Sequence, residues 1–273
     1  MTALISFIRR QPLLTFFVLA FAFSWWGWPL YAAQMSPVPI FSPGPCIAAF
    51  VVTALTAGRL GVRDLIHRML RWRVGLRWYA VALALPALIA ATATLFNTLF
   101  GATPRWPAQI DGWTDLALTF ALNLLVPAFG GAWEEPGWRG FALPHLQVSR
   151  SPLRASLLLS VVGVLWHLPL FLSGDIQYPD IVLIPGVYIV LAWIYNRTGS
   201  SILLVMLTHA ANNTISGDFF SQMFSGADAV RQAWLVAVAW GIVAFLVVRL
   251  IDPSLAERPA AQTKPVAAGQ PAV

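Results

Sequence analysis

Three short stretches of this chain hold residue types capable of acid–base chemistry, and each lies among apolar neighbours. Trp133-Glu134-Glu135-Pro136-Gly137-Trp138-Arg139 carries two acids and a base. Leu165-Trp166-His167-Leu168-Pro169 carries a single imidazole, and Thr208-His209-Ala210-Ala211-Asn212-Asn213 an imidazole and an amide. On a helix, adjacent residues point in different directions, so Glu134 and Glu135 cannot face one way. Glu135 stands four residues before Arg139, the favourable order for an acid–base pair on one helix face. The spacing therefore predicts that Arg139 neutralises Glu135 and that Glu134 points elsewhere, into a cavity. His209 and Asn213, also four apart, aim at one spot.

Such a set suits peptide hydrolysis, which needs a base to activate water, a proton donor for the leaving amine and donors for the oxyanion. A carboxylate withdrawn from water, as Glu134 would be, holds a proton more readily and so works as a base near neutral pH. His167 can orient or deprotonate the water, and His209 with Asn213 can donate to the oxyanion. Glu134, His167 and His209 equally match a three-ligand zinc site with one open position. Residue type leaves the zinc scheme and the metal-free glutamate scheme both open. Intramembrane Glu and His with broken helices also belong to proton-coupled transporters, but no repeated half accompanies them here. There is no Gly-x-Ser-x-Gly and no His-Glu-x-x-His. Asp175 and Asp218 each follow Ser-Gly at expected helix ends, ill placed for a buried aspartyl pair.

The elements that must position these residues are membrane spans. The 273-residue chain is 58% hydrophobic and only 10% charged, with a mean hydropathy of +0.71, where soluble domains run to about 25% charged. Apolar runs of spanning length recur at 13–33, 45–60, 78–100, 115–133, 153–173, 181–195, 200–216 and 233–250. They predict an all-α, polytopic bundle of about eight transmembrane helices. With both termini cytoplasmic, Arg59, Arg63, Arg68, Arg71, Arg73, Arg77, Arg150, Arg154, Arg197, Arg249, Arg258 and Lys264 fall inside. The outer loops hold only Arg105 and Arg231, and collect Asp111, Asp115, Asp175, Asp180, Asp218 and Asp228. This is the distribution the positive-inside rule demands. The run at 13–33 is too long for a signal core and is expected to stay in place.

The net charge of +6 thus marks topology and contact with anionic lipid, with no nucleic acid implied. Lys264 is the only lysine, a usage that fits a GC-rich bacterial genome and a bacterial inner membrane. Cys46 stands alone and is expected to be a small apolar filler. Leu65, Ile66, Met69, Leu70 and Trp72 among arginines predict an amphipathic helix on the inner surface. Asn97, Asn123 and Asn212 are expected to bond between helices, and His67 and His145 to lie at the interface. Four regions follow: spans and a basic loop over 1–113, the catalytic core over 114–217, a last span over 218–252 and a disordered tail over 253–273. Ionisable groups inside spans cost roughly 2.5–3.5 kcal/mol each, so their clustering in the core argues for a function.

Taken together, in order and on separate spans, these motifs resemble the CAAX protease and bacteriocin-processing family of intramembrane endopeptidases, also called the Abi family. Its paired glutamates followed by arginine are matched by Glu134, Glu135 and Arg139, its second motif by His167, and its His-x-x-x-Asn motif by His209 and Asn213. The resemblance covers residues 130–213. It implies proteolysis of a membrane-embedded or lipid-anchored protein or peptide, with Glu134 and His167 activating water and His209 and Asn213 forming the oxyanion site. Relatives are described both as metalloproteases and as metal-free glutamate enzymes. Bacterial relatives are also linked to bacteriocin immunity, which leaves a non-catalytic immunity protein as an alternative. One departure concerns the second motif: an aromatic residue usually stands four before its histidine, and here that position is Gly163.

Overall fold

A computed structural model describes residues 2–257 of the chain, and every regular element in it is helical. In chain order these are α1 (Thr2–Arg10), α2 (Pro12–Trp25), α3 (Trp28–Ala32), α4 (Gly44–Met69), α5 (Leu76–Leu99), α6 (Trp113–Leu125), α7 (Glu135–Gly137), α8 (Leu143–Gln147), α9 (Pro152–Trp166), α10 (Leu168–Ser173), α11 (Pro179–Arg197), α12 (Ile202–Ala211) and α13 (Gly226–Leu246). Short 3-10 and π turns join several of them.

The packing is that of a membrane bundle. On α13, Val236, Ala237, Trp240 and Ala244 are buried, while Trp234, Val238, Ile242 and Phe245 form an exposed stripe on the other side. An apolar stripe turned outward is unfavourable in water and is what a bilayer solvates. Inside, α11 packs against α13, α9 and α12, α5 against α12 and α13, and α2 against α4.

Five helical stretches are long and apolar enough to cross a membrane: Pro12–Ala32, Gly44–Met69, Leu76–Leu99, Pro179–Arg197 and Gly226–Ile251. None of them carries a candidate site residue. The three expected spans that do are all interrupted. Between α6 and the 3-10 turn Ala132–Glu134 the helix is broken at residues 126–131. α9 ends at His167, which starts α10. α12 widens into a π-helix over Asn212–Phe220. Irregular backbone at such depth persists where neighbouring helices or a polar cavity satisfy it.

The first break corrects the span expected at 115–133, which stops just short of Glu134 and leaves that acid at its end. The chain resumes as helical turns from Ala132 to Gln147. Contacts on both sides of the break show that the second segment starts beside the end of the first, since Trp133 Nε1 donates to the Leu124 carbonyl at 3.0 Å. At 1.5 Å per residue, Glu134 is about 20 Å from Gln147. His167 follows the 15-residue α9, about 22 Å from Pro152 by the same measure. Gln147 and Pro152 are joined by a short link, so acid and imidazole lie at one depth.

Two other expectations change. The span at 45–60 and the amphipathic surface helix are one element, α4, kinked at Gly58. Leu65 is buried against the bundle, and Arg68 ties α4 to it through Nη1 to the Gly140 carbonyl (2.8 Å) and the Tyr195 hydroxyl (2.9 Å). The tail is ordered beyond position 253: Pro253–Ala256 forms a 3-10 turn with Leu255 buried, held by the pairing of Asp252 with Arg197. Residues 258–273, with Arg258 and Lys264, lie outside the described residues. Cys46 is buried and free.

Candidate active site

α9 and α12 start alike. Ser151 accepts a hydrogen bond from Arg154 N, and Ser201 from Leu204 N, both at 3.3 Å. These caps fix where each helix begins, and hence the depth at which His167 and His209 arrive.

Glu134, Glu135 and Arg139 are all buried. Arg139 Nη1 donates to Glu135 Oε2 at 2.9 Å and to Oε1 at 3.1 Å, so the pair is internal to its own helical turn. Glu135 also does something the sequence did not announce. Its Oε1 accepts from His209 Nδ1 at 2.6 Å, joining the Glu-Glu turn to α12. A buried carboxylate with only one partner would be costly; here it is shared between a guanidinium and an imidazole. Arg139 is sandwiched in turn, its guanidinium carbon 4.0 Å from the ring centre of Tyr188, a cation–π contact.

With Nδ1 committed, His209 turns Nε2 toward Glu134. Both groups converge on Gly131: a Cβ built there would lie 2.5 Å from His209 Nε2 and 2.7 Å from Glu134 Oε1. The missing side chain of Gly131 therefore leaves a notch bordered by a carboxylate oxygen and an imidazole nitrogen. The other oxygen of Glu134 is fixed by Trp138 Nε1, which donates to Oε2 at 3.2 Å.

His167 joins the set through two indoles. Trp138 packs edge-on against Trp166 at 5.8 Å between ring centres, and Trp166 edge-on against His167 at 4.9 Å. His167 Nδ1 donates to the Gly163 carbonyl at 2.7 Å. A carbonyl only accepts, so Nδ1 carries the proton and the neutral ring keeps Nε2 as an acceptor. Asn213 lies half-buried in the π-helix that follows α12. Its amide makes no hydrogen bond among the described residues. The structure thus brings Glu134, Glu135, Arg139 and His209 together, links His167 to them through Trp166 and Trp138, and leaves Asn213 one turn beyond His209.

Gly163 answers the departure in the second motif. A Cβ there would lie 2.3 Å from the Tyr188 hydroxyl and 2.5 Å from its Cζ. The aromatic ring expected on α9 is supplied instead by α11, in space that only a glycine leaves. The expected interhelical bonds also appear: Asn97 Nδ2 donates to the Asp228 carbonyl at 3.0 Å, and Asn123 Nδ2 to Thr214 Oγ1 at 2.9 Å. Asn212 makes no such bond among the described residues, where its buried Oδ1 has no partner. His67 and His145 are exposed.

As placed, Glu134, His167 and His209 do not make up the three-ligand zinc site that was one of the two schemes left open. Each imidazole has one nitrogen engaged and the other free, as a metal-ligating histidine would, but no three acid, thiol or imidazole groups among the described residues stand close enough to grip one ion.

Comparison with known proteins bears on what such a site does. A family profile described as "Type II CAAX prenyl endopeptidase Rce1-like" matches residues 113–215. That stretch begins with α6, takes in the first two interruptions and the start of the third, and includes every candidate residue. Over that stretch the chain is similar to the CAAX protease family. It is also 26% identical over 187 residues to "CAAX prenyl protease 2" of Methanococcus maripaludis, covering 62% of this chain and 68% of that protein. This similarity and the five apolar helices of spanning length together support a multi-pass membrane protein of the CAAX-protease type. The relative is archaeal, so the bacterial origin expected from arginine usage rests on that usage alone.

Proposed function

We propose that the protein hydrolyses a peptide bond of a membrane-embedded or lipid-anchored protein, with Glu134 as the base that activates water. The observation that carries this reading is the notch at Gly131, where Glu134 Oε1 and His209 Nε2 face the same small space. A water lying there can give its proton to Glu134 while its oxygen attacks the scissile carbonyl. Neutral His167, holding Nε2 free as an acceptor, takes part in orienting or deprotonating that water. The proton collected by Glu134 is then available to the leaving amine.

His209 serves the oxyanion. Because Nδ1 is bound to Glu135, its Nε2 can donate only when the ring is the imidazolium, and Glu135 lies in contact to balance that charge. A donor fixed in a dry site before the reaction starts is worth roughly 3–4 kcal/mol to the transition state. Asn213 is the second donor in this scheme, reaching the oxyanion once substrate is bound. Glu135 and Arg139 position His209. The name of the archaeal relative supports a prenylated CAAX protein as the substrate class.

The test is cleavage of a membrane-anchored, prenylated peptide by purified protein in liposomes. Glu134→Gln should lower the rate by about 10²–10⁴-fold, the range of a lost general base, and His167→Ala should fall in the same range, with both variants folded. Undiminished cleavage by Glu134→Gln would remove the assignment.

A further inference from the structure

At the end of the bundle where Arg71 bonds the Gly199 carbonyl, two adjoining cavities of about 400 and about 390 Å³ share Arg77, Trp78 and Arg197 in their walls. Arg73 borders the second cavity, so three guanidinium groups face one continuous space. Val81, Trp193 and Ile251 continue it as an apolar wall formed by α5, α11 and the turn after α13. Trp78 and Trp193 are both buried and meet edge-on at 4.9 Å between ring centres.

The charge in this space is uneven. No carboxylate is among its lining residues, and of its three arginines Arg197 is paired with Asp252. Arg73 and Arg77 make no hydrogen bond or ion pair among the described residues. Each lies over an indole instead, Arg73 on Trp72 at 5.2 Å and Arg77 on Trp78 at 5.5 Å. A guanidinium resting on an aromatic face keeps its N–H edge free and directed, which suits two-point contact with a phosphate.

We propose that this space binds an anionic phospholipid. Arg73 and Arg77 hold the phosphate, Arg197 stands beside them, and an acyl chain lies against Val81, Trp193 and Ile251. Basic pockets between spanning helices bind anionic headgroups by this combination of charge and apolar wall. A free phosphate would use the arginines and leave the apolar wall without a partner, so the two-part lining favours lipid. No candidate catalytic residue lines the space. A lipid seated there joins α5, α11 and the segment after α13, and its effect is on the stability of the bundle.

The experiment uses the full chain in neutral detergent, with native mass spectrometry for lipid retention and thermal unfolding for stability. Phosphatidylglycerol should be retained and should raise the unfolding temperature; phosphatidylcholine and inorganic phosphate should do neither. R73Q/R77Q should weaken phosphatidylglycerol retention about tenfold or more, while R9Q/R10Q, which removes two charges elsewhere, should keep it. Equal loss in both double variants would overturn the site in favour of diffuse charge. Equal effects of phosphatidylcholine would reduce it to an apolar groove, and an equal effect of inorganic phosphate would make it a free-anion site; either result overturns the proposal. If R73Q/R77Q does not fold, R73K/R77K keeps the charge but loses two-point contact, and undiminished retention by that variant overturns it as well.

Discussion

Gly131 is the residue at which the smallest change should cost the most activity. One added methyl would sit 2.5 Å from His209 Nε2 and 2.7 Å from Glu134 Oε1. Neither group can easily step aside, because His209 is held by Glu135 at 2.6 Å and Glu134 by Trp138 at 3.2 Å. Gly131→Ala should therefore lower cleavage by about 100-fold, the cost of misplacing reacting groups by an ångström. The same overlap should lower its unfolding temperature somewhat while leaving the protein folded; a full cleavage rate would show that the reacting water lies elsewhere. The sequence made part of this arrangement legible. Glu135 and Arg139 meet because they stand four apart on one helix, and Glu134 and Trp138 share that spacing, although an indole among apolar residues reads first as packing. The bond from His209 to Glu135 joins positions 74 residues apart. No local rule reaches across that separation, so the role of Glu135 in aiming His209 emerges only from the folded chain.

Between elements, the contact of α9 with α11 rests on an exchange of volume, with Gly163 small so that the Tyr188 ring can fill the gap. Gly163→Ala alone should cost about 1–3 kcal/mol of stability by overpacking. Tyr188→Leu alone removes the ring and its contact with Arg139. The double variant should lose less than the sum of the two, with a coupling in the range of about 0.5–3 kcal/mol typical of touching residues, measured by unfolding in detergent. Strict additivity would mean that the two positions do not share that space. A second joint, between Arg197 at the end of α11 and Asp252 after α13, is sensitive to pH. The hydrogen bond from Arg197 holds the Asp252 carboxyl below its usual range, burial opposes this, and the Ser254 hydroxyl adds to it. A depressed folded-state value adds stability above the unfolded value of about 3.9. That stability is lost as pH falls through the folded value. Asp252→Asn should therefore lower the unfolding temperature at neutral pH and differ little from the unaltered protein in strong acid. Helix existence was legible from hydropathy, but the depth of Glu134 was not. A hydropathy window treats an acid as the edge of a span, whereas here Glu134 is buried and held by the Trp138 indole.

At the scale of the whole molecule, the broken crossing has a consequence for topology. If α6 and the helical turns from Ala132 to Gln147 together cross the bilayer once, Thr103 and Ser149 must lie on opposite sides. A re-entrant hairpin would leave both on the same side. The distribution of arginine assigns the 149 side to the cytoplasm, and the same charges that made the bundle legible as a membrane protein make this side checkable. Cys46, the only cysteine, is buried, so Cys46→Ser gives a background that a membrane-impermeant maleimide should not label. Thr103 and Ser149 are both exposed. In intact cells Thr103→Cys should be labelled at once and Ser149→Cys only after permeabilisation. The opposite order would invert the bundle while preserving the single crossing. Labelling of both in intact cells would instead mean that the chain turns back at residues 126–131. Glu134 would then approach His167 along a loop rather than across a span, and the common depth of the two residues would need another source.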